Sequence, residues 1–114
     1  MWIFLNDRFV PEQDATISVF DHGFLYGDGV YETIRSYGSR IFMRDHHLSR
    51  LQRSADAIGL TIPIPLSEWP HLLREAMNLN QLGTEQADAY LRITVSRGAG
   101  EIGLDPALCP TPTV

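Results

Sequence analysis

A tyrosine, a threonine and an arginine alternate along a stretch whose types and spacing suit recognition of a small organic anion. Tyr31, Thr33 and Arg35 follow the turn residues Gly27-Asp28-Gly29, and alternation with period 2 places all three on one face of a strand. Asp-Gly is a strong turn signal, so the start of this strand is fixed. The same face also suits an ordinary half-buried sheet surface, and the residues alone leave both interpretations open.

A second polar face of this kind is predicted on the strand ADAYLRITVSR, from Ala87 to Arg97. Tyr90 and Arg92 lie on one side of it with two hydroxyl residues, and the other side is apolar. We expect the apolar side to meet helices. The polar side is either a ligand surface or a solvated sheet face. The glycine-rich loop that follows lacks the lysine-containing ending of a P-loop, so the sequence predicts no nucleoside-triphosphate site there.

Two amphipathic helices are predicted between the strands. The first runs from Asp45 to Ile58 and ends at Gly59, with an apolar stripe at helical spacing. Arg50 lies off that stripe, so it is either solvated or free to bind an anion. Ser67 is the expected cap of the second helix. The stripes comprise Leu48, Leu51, Ala55 and Ile58, then Trp69, Leu72, Leu73, Ala76 and Met77.

These elements predict an α+β fold: a largely antiparallel sheet with two helices on one face. A hairpin from Trp2 to Leu5 and Arg8 to Val10 precedes the strand from Gly29 to Tyr37, which returns through Arg40 to Met43. Ile17 to Phe20 is expected to be part of the sheet scaffold. His46 and His47 lack metal-ligand spacing and are expected at the surface or at the helix start, so we predict no metal site.

Composition limits the kinds of partner. The chain has 114 residues, one cysteine and a formal net charge of −5, which indicates one small domain and argues against nucleic acid. Apolar runs are too short for a transmembrane helix, and no basic region marks a signal peptide. The single Cys109 fits a reducing cytoplasm.

Two motifs together resemble the class IV aminotransferases, the fold-type IV pyridoxal-phosphate (PLP) enzymes. They are GFLYGDGVYETIR and, further on, HHLSRL. The resemblance covers nearly the whole chain and implies the small N-terminal domain of such an enzyme. It also implies that Arg50 holds the PLP phosphate, a role that suits a guanidinium because it binds phosphate oxygens bidentately.

The nine basic residues are all arginine, and the sequence has no lysine. A PLP enzyme holds its cofactor through a lysine amine. In the family that lysine lies in a C-terminal domain, together with the glutamate that pairs with the pyridine nitrogen. We therefore expect residues 1–114 to be the N-terminal domain of a longer enzyme, ending within a strand at TPTV. Alone, the chain is expected to be inactive.

Within the family, the loop after Arg97 resembles that of branched-chain aminotransferases. Ile102 stands where D-amino-acid aminotransferases and aminodeoxychorismate lyases have an arginine, and Leu104 where the D-specific enzymes have a histidine. The resemblance implies exchange of an amino group between a branched-chain L-amino acid and 2-oxoglutarate, in a homodimer. The implied substrate contacts are Tyr31, Thr33 and Tyr90 around the side chain, Arg92 at the distal carboxylate, and Tyr26 and Leu104 at the neighbouring subunit's site.

Other functions stay open at this point. Within the family these are D-amino-acid transamination and aminodeoxychorismate lysis. Outside it, the chain is compatible with an α+β binding or oligomerisation module that has the fold without the chemistry.

Overall fold

The computed structural model describes residues 1–114, which form five strands and three α-helices. Strands β1 and β2 form the N-terminal hairpin, and the short helix α1 precedes the long strand β3. Helices α2 and α3 separate the β3–β4 hairpin from β5. The bounds are β1 Trp2–Leu5, β2 Arg8–Pro11, α1 His22–Tyr26, β3 Gly29–Tyr37, β4 Arg40–Ile41, α2 Arg44–Ala57, α3 Trp69–Leu79 and β5 Ala89–Ser96.

All strand pairs are antiparallel, which confirms the predicted α+β fold with an antiparallel sheet. The strands form two sheets, a β1–β2 hairpin and a three-stranded sheet of order β4-β3-β5. The β3–β5 register pairs Tyr31 with Thr94 and Thr33 with Arg92. Residues opposite one another project from the same face, so the two polar faces expected from the sequence form one surface.

The core lies between that sheet and the two long helices. Ile34 from β3 and Ile93 and Val95 from β5 pack with buried side chains of α2 and α3, among them Leu51 and Leu73. The predicted stripes therefore face the sheet, as period-3.6 patterns require. Ile58 is the exception, since it is exposed beyond the end of α2.

Other local expectations were wrong. The sequence interpretation missed α1, a five-residue helix whose first turn is capped by the Asp21 side chain and which ends at Gly27 with a left-handed φ of 68°. Ser67 does not cap α3; Glu68 occupies that position and makes no side-chain cap, while Pro70 lies in the first turn. Ile17 to Phe20 lies outside the strands and is exposed, because no strand pairs with it.

The buried carboxylate of Asp21 accepts hydrogen bonds from the ends of several segments. Its carboxylate accepts from the Ser96 hydroxyl at 2.9 Å, the Thr113 hydroxyl at 2.7 Å and the Gly23 amide at 2.8 Å. Three donors satisfy the oxygens that burial removes from water. The start of α1, the end of β5 and residues 113–114 are thereby held together.

Arg97 joins the end of β5 to the end of α2. It binds both carboxylate oxygens of Asp28 at 2.9 and 3.0 Å, and it donates to the carbonyls of Gly59 and Ile58 at 2.9 and 2.8 Å. These two carbonyls follow the last turn of α2, where a helix lacks internal donors. Arg97 is buried, so its charge depends on Asp28 for compensation.

Candidate functional site

Tyr31 and Arg92 form the centre of the open face of β3 and β5. The Arg92 guanidinium carbon lies 4.1 Å from the centroid of the Tyr31 ring, a cation–π contact. Its Nε donates to the Thr94 hydroxyl at 3.2 Å. Thr33 is the register partner of Arg92. The guanidinium is therefore positioned over an aromatic ring and stays available to a carboxylate.

A cavity of about 630 Å³ lies in front of this face. Tyr31, Arg92 and Thr94 line its sheet side. The opposite walls are largely apolar and come from β1 and from Ile17 and Phe24. A largely apolar cavity lined by one cationic side chain suits a small molecule that has an aliphatic part and a carboxylate.

Arg50 lies on the other side of β3, where it binds the side chain of Glu32. Its Nε and Nη2 donate to the two Glu32 carboxylate oxygens at 2.6 and 2.7 Å. His47 Nδ1 lies 2.9 Å from Glu32 Oε2. Glu32 is 5% exposed, whereas the Arg50 side chain is 51% exposed. The buried carboxylate thus fixes a guanidinium whose remaining N–H groups lie at the surface.

The contact between Glu32 and His47 was missed by sequence reasoning. Glu32 had no predicted role, and His47, which lies at the start of α2 as one of its two expected positions, is only 18% exposed and contacts Glu32. The sequence did contain a signal for the partnered position of Glu32. Period-2 alternation places it on the same face of β3 as Val30 and Ile34. A carboxylate at an inward position requires a charged or hydrogen-bonding partner, and Arg50 supplies it.

The environment of Glu32 strongly favours its ionised form. Hydrogen bonds from Arg50 lower the pKa of Glu32 from 4.5 to about 2, with a smaller contribution from His47, and burial opposes the shift. The carboxylate therefore stays charged, and Arg50 stays paired, throughout the neutral range.

This pKa shift predicts a specific loss of stability in acid. The folded-state pKa lies below the unfolded value, so ionised Glu32 stabilises the fold above about pH 4.5, and this contribution disappears as the pH falls towards 2. We expect on the order of 2 to 3 kcal/mol, since Arg50 is partly screened by water. Urea unfolding of wild type and Glu32→Gln between pH 7 and pH 2 measures it, because only wild type should lose this contribution.

The exposed Glu85 provides the matched control. Glu85→Gln should follow the wild-type pH profile. Parallel profiles for wild type and Glu32→Gln would contradict the assigned role of the Glu32–Arg50 pair.

Tyr26 and Leu104 belong to a separate unit formed by α1 and the loop after β5. The amide of Gly103 donates to the Tyr26 hydroxyl at 3.0 Å, and buried His22 Nε2 donates to the carbonyl of Glu101 at 2.8 Å. The two rings pack edge to face with centroids 4.9 Å apart. Leu104 is 81% exposed, so the loop is anchored while its apolar tip faces solvent.

The structure brings only part of the predicted set together. Tyr31 and Arg92 share one cavity, and Thr33 lies beside Arg92. Tyr90 is farther along β5 and borders a second cavity, between β1, α3 and β5, which Arg92 also lines. Arg50 lies on the opposite face of the sheet, and the loop of Leu104 is separate from both. In this chain they form three neighbouring clusters.

The amino-transferase class IV family model matches residues 29–114. The chain belongs to this family. A protein of Methanocaldococcus jannaschii provisionally named a branched-chain-amino-acid aminotransferase is 46% identical over 100% of this chain and 38% of its own length. The aminodeoxychorismate lyase of Bacillus subtilis is 35% identical over 98% of this chain and 38% of its length. A D-alanine aminotransferase of Staphylococcus aureus is 37% identical over 87% of this chain and 34% of its own length.

Solved structures share the fold. The branched-chain aminotransferase of Thermoproteus uzoniensis with norvaline matches with a TM-score of 0.82 and 32% identity, over 92% of this chain and 36% of that one. The branched-chain amino acid aminotransferase of Escherichia coli matches with a TM-score of 0.88 and 27% identity, over 98% of this chain and 38% of that one. The chain thus spans well under half the length of its relatives. None of its helices combines the length and apolar character needed to cross a bilayer.

Proposed function

We propose that this chain is the N-terminal domain of a PLP-dependent transaminase that moves an amino group between a branched-chain L-amino acid and 2-oxoglutarate. The observation that carries the proposal is the Tyr31–Arg92 pair, in which a guanidinium is held at the wall of a largely apolar cavity. Membership of the class IV family supports the reaction type. The free Cys109 accords with a cytoplasmic location.

The donor set at Arg50 fits the phosphate group of PLP. Glu32 engages Nε and Nη2, so Nη1 and the second Nη2 proton are the groups that Arg50 offers to phosphate oxygens. A guanidinium fixed in this way loses little side-chain entropy when it binds an anion. When bound, PLP supplies the electron sink for amino-group transfer. This chain has no lysine, so the amine that holds PLP belongs to the second domain that we propose.

The cavity at Tyr31 and Arg92 accounts for both substrates. An aliphatic side chain gains about 1.5–3 kcal/mol when it is fully buried, and the apolar walls supply that burial. Arg92 is placed to bind the distal carboxylate of glutamate or 2-oxoglutarate. Thr33 lies beside it, and Tyr90 borders the adjoining cavity, which Arg92 also lines.

We also propose a homodimer in which Tyr26 and Leu104 reach the neighbouring subunit's site. Phe24, Ile102 and Leu104 are 68%, 73% and 81% exposed around the anchored loop. A group of large exposed apolar side chains is typical of a protein–protein interface. The hydrogen bond between Tyr26 and Gly103 makes the helix and the loop one unit that would meet the partner together.

Two other activities occur among the relatives, aminodeoxychorismate lysis and D-alanine transamination. The tip of the loop after β5 distinguishes these two activities from branched-chain transamination. Ile102 and Leu104 offer no charge or hydrogen bond to a substrate carboxylate, and Arg92 lies on the sheet instead. This arrangement favours an aliphatic substrate, and we retain the other two activities as outcomes of the substrate tests.

Replacing Arg92 with leucine in the full-length enzyme should separate the two substrates. Glutamate and 2-oxoglutarate lose a charged hydrogen bond that leucine never makes, so their kcat/KM should fall about ten- to a hundredfold more than that of leucine. Steady-state rates for both substrates in wild type and Arg92→Leu test this. Arg8→Leu, which replaces an exposed arginine of β2 in the other sheet, is the control. Equal losses for both substrates would make Arg92 a structural residue.

A further inference from the structure

A polar cavity lies where β4, the start of α2 and α3 meet, and it is separate from the two cavities described above. It encloses about 370 Å³. Three of the nine arginines of the chain line it, but only one of the fourteen acidic residues does. The chain as a whole has a net charge of −5, so this cavity is a local concentration of positive charge. Its ionisable lining comprises Arg40, Arg44, Arg74, Asp45 and His46.

Two of the three guanidinium groups have no carboxylate partner. Arg44 Nε donates to the Asp45 carboxylate at 2.8 Å, whereas Arg40 and Arg74 form no ion pair. Arg74 Nη1 instead donates to the carbonyl of Ser39 at 2.7 Å. Like charges gathered around one cavity repel one another, and a bound anion removes that cost.

The contacts of Arg44 and Arg74 orient the two guanidinium groups and leave most of their donors free. Each is held through a single nitrogen, Nε in Arg44 and Nη1 in Arg74. Arg44 therefore keeps both Nη groups, and Arg74 keeps the edge formed by Nε and Nη2. Such edges bind the oxygens of a phosphate group bidentately.

Helix α2 begins at this cavity and adds to its positive potential. The N-cap residue Met43 makes no side-chain hydrogen bond to the helix, so the first amides have no side-chain cap. The N-terminal end of a helix dipole is positive. Asp45, in the first turn, is the one lining group that opposes an anion, and its carboxylate is 81% exposed.

We propose that this cavity binds the phosphate group of a small phosphorylated molecule. Three guanidinium charges less one carboxylate charge leave +2 when His46 is neutral. A phosphate monoester carries about −1.5 to −2 at pH 7, so the charges match, whereas a single carboxylate carries only −1. The volume of about 370 Å³ leaves room beyond one phosphate group. Arg50 does not line this cavity, and the site does not rest on the proposed transaminase function.

Equilibrium dialysis of the full-length protein with radiolabelled glycerol 3-phosphate tests the proposal. The Arg50→Ala background is used throughout, because it removes the contact proposed for the PLP phosphate. In that background Arg40→Gln and Arg74→Gln should each weaken binding about tenfold or more, since each removes a charged hydrogen bond. Asp45→Asn should strengthen binding severalfold, because it removes the opposing charge.

Arg53→Gln in the same background is the matched control. It removes the same charge from an exposed position of α2 that does not line the cavity, so the dissociation constant should stay within about twofold. Arg40 and Arg74 are exposed and lie on different elements, β4 and α3. One variant therefore remains informative if the other fails to fold.

Competition with unlabelled anions separates the possible sources of binding. Inorganic phosphate should displace the label, and acetate at the same concentration should not. Weaker displacement by inorganic phosphate than by unlabelled glycerol 3-phosphate would show that the rest of the molecule is also bound, as the size of the cavity leads us to expect.

Equal losses in Arg74→Gln and Arg53→Gln would mean that net charge binds the anion, and would overturn the proposal. Binding that does not saturate, or displacement by acetate as effective as by phosphate, would overturn it as well. The measurement involves no catalysis and no PLP, so a failure of the transaminase assignment leaves this result unaffected, and the converse also holds.

Discussion

Arg50→Ala in the full-length enzyme is expected to weaken PLP binding by about ten- to a hundredfold while leaving the fold intact. The side chain lies off the apolar stripe of α2 and is half exposed, so its removal creates no cavity in the core. What is lost is a fixed guanidinium whose outer N–H groups suit phosphate oxygens. Dialysis of the holoenzyme followed by absorbance titration with PLP gives the dissociation constant.

Arg53 provides a matched control, because it is an exposed arginine on the same helix, one turn away. Arg53→Ala should leave the PLP dissociation constant unchanged. The Glu32→Gln variant is informative as well, since it keeps Arg50 but replaces the charged acceptor that orients it. An unchanged PLP affinity in Arg50→Ala would remove this residue from the cofactor site.

The second large effect is on stability. Arg97→Leu should lower the free energy of unfolding by about 3–5 kcal/mol, because it leaves the Asp28 carboxylate without its cation and two carbonyls at the end of α2 without their donor. Chemical denaturation of wild type and variant measures this directly. The effect should appear as a lower midpoint with an unchanged slope, as expected when only stability changes.

The pair of Arg8 with Asp7 is the appropriate comparison. Its two side chains are 74% and 73% exposed and 3.1 Å apart. Arg8→Leu should change the free energy of unfolding by no more than about 0.5 kcal/mol, because exposed ion pairs contribute little. Similar losses in the two variants would show that burial is not what makes Arg97 important.

Sequence alone predicted the elements with strong periodicity. Polar and apolar residues alternate along β3 and β5, and α2 and α3 have apolar stripes. The existence of these elements and their inward faces were therefore predictable from the pattern. The open face was found for the same reason, since Tyr31 and Arg92 fall in phase on their strands. The contact between them needed the register, which the sequence does not specify.

What was missed depended on contacts between distant segments. Glu32 and His47 are fifteen residues apart, and only the packing of α2 on β3 makes them partners. Helix α1 is too short for a periodic signal, and its stability comes from the Asp21 cap and from His22 bonding a loop 79 residues away. The strand expected at TPTV followed from its β-branched residues, but its partner did not, because the pairing of Thr113 with Ser96 joins segments that are distant in sequence.

We propose that this domain serves a transaminase for branched-chain L-amino acids. The most direct test is kcat/KM of the full-length enzyme with L-leucine and with D-alanine, each with 2-oxoglutarate as acceptor. We expect L-leucine to be preferred by at least about a hundredfold, because the apolar cavity and uncharged loop tip favour its side chain. A higher kcat/KM for D-alanine would contradict the assignment.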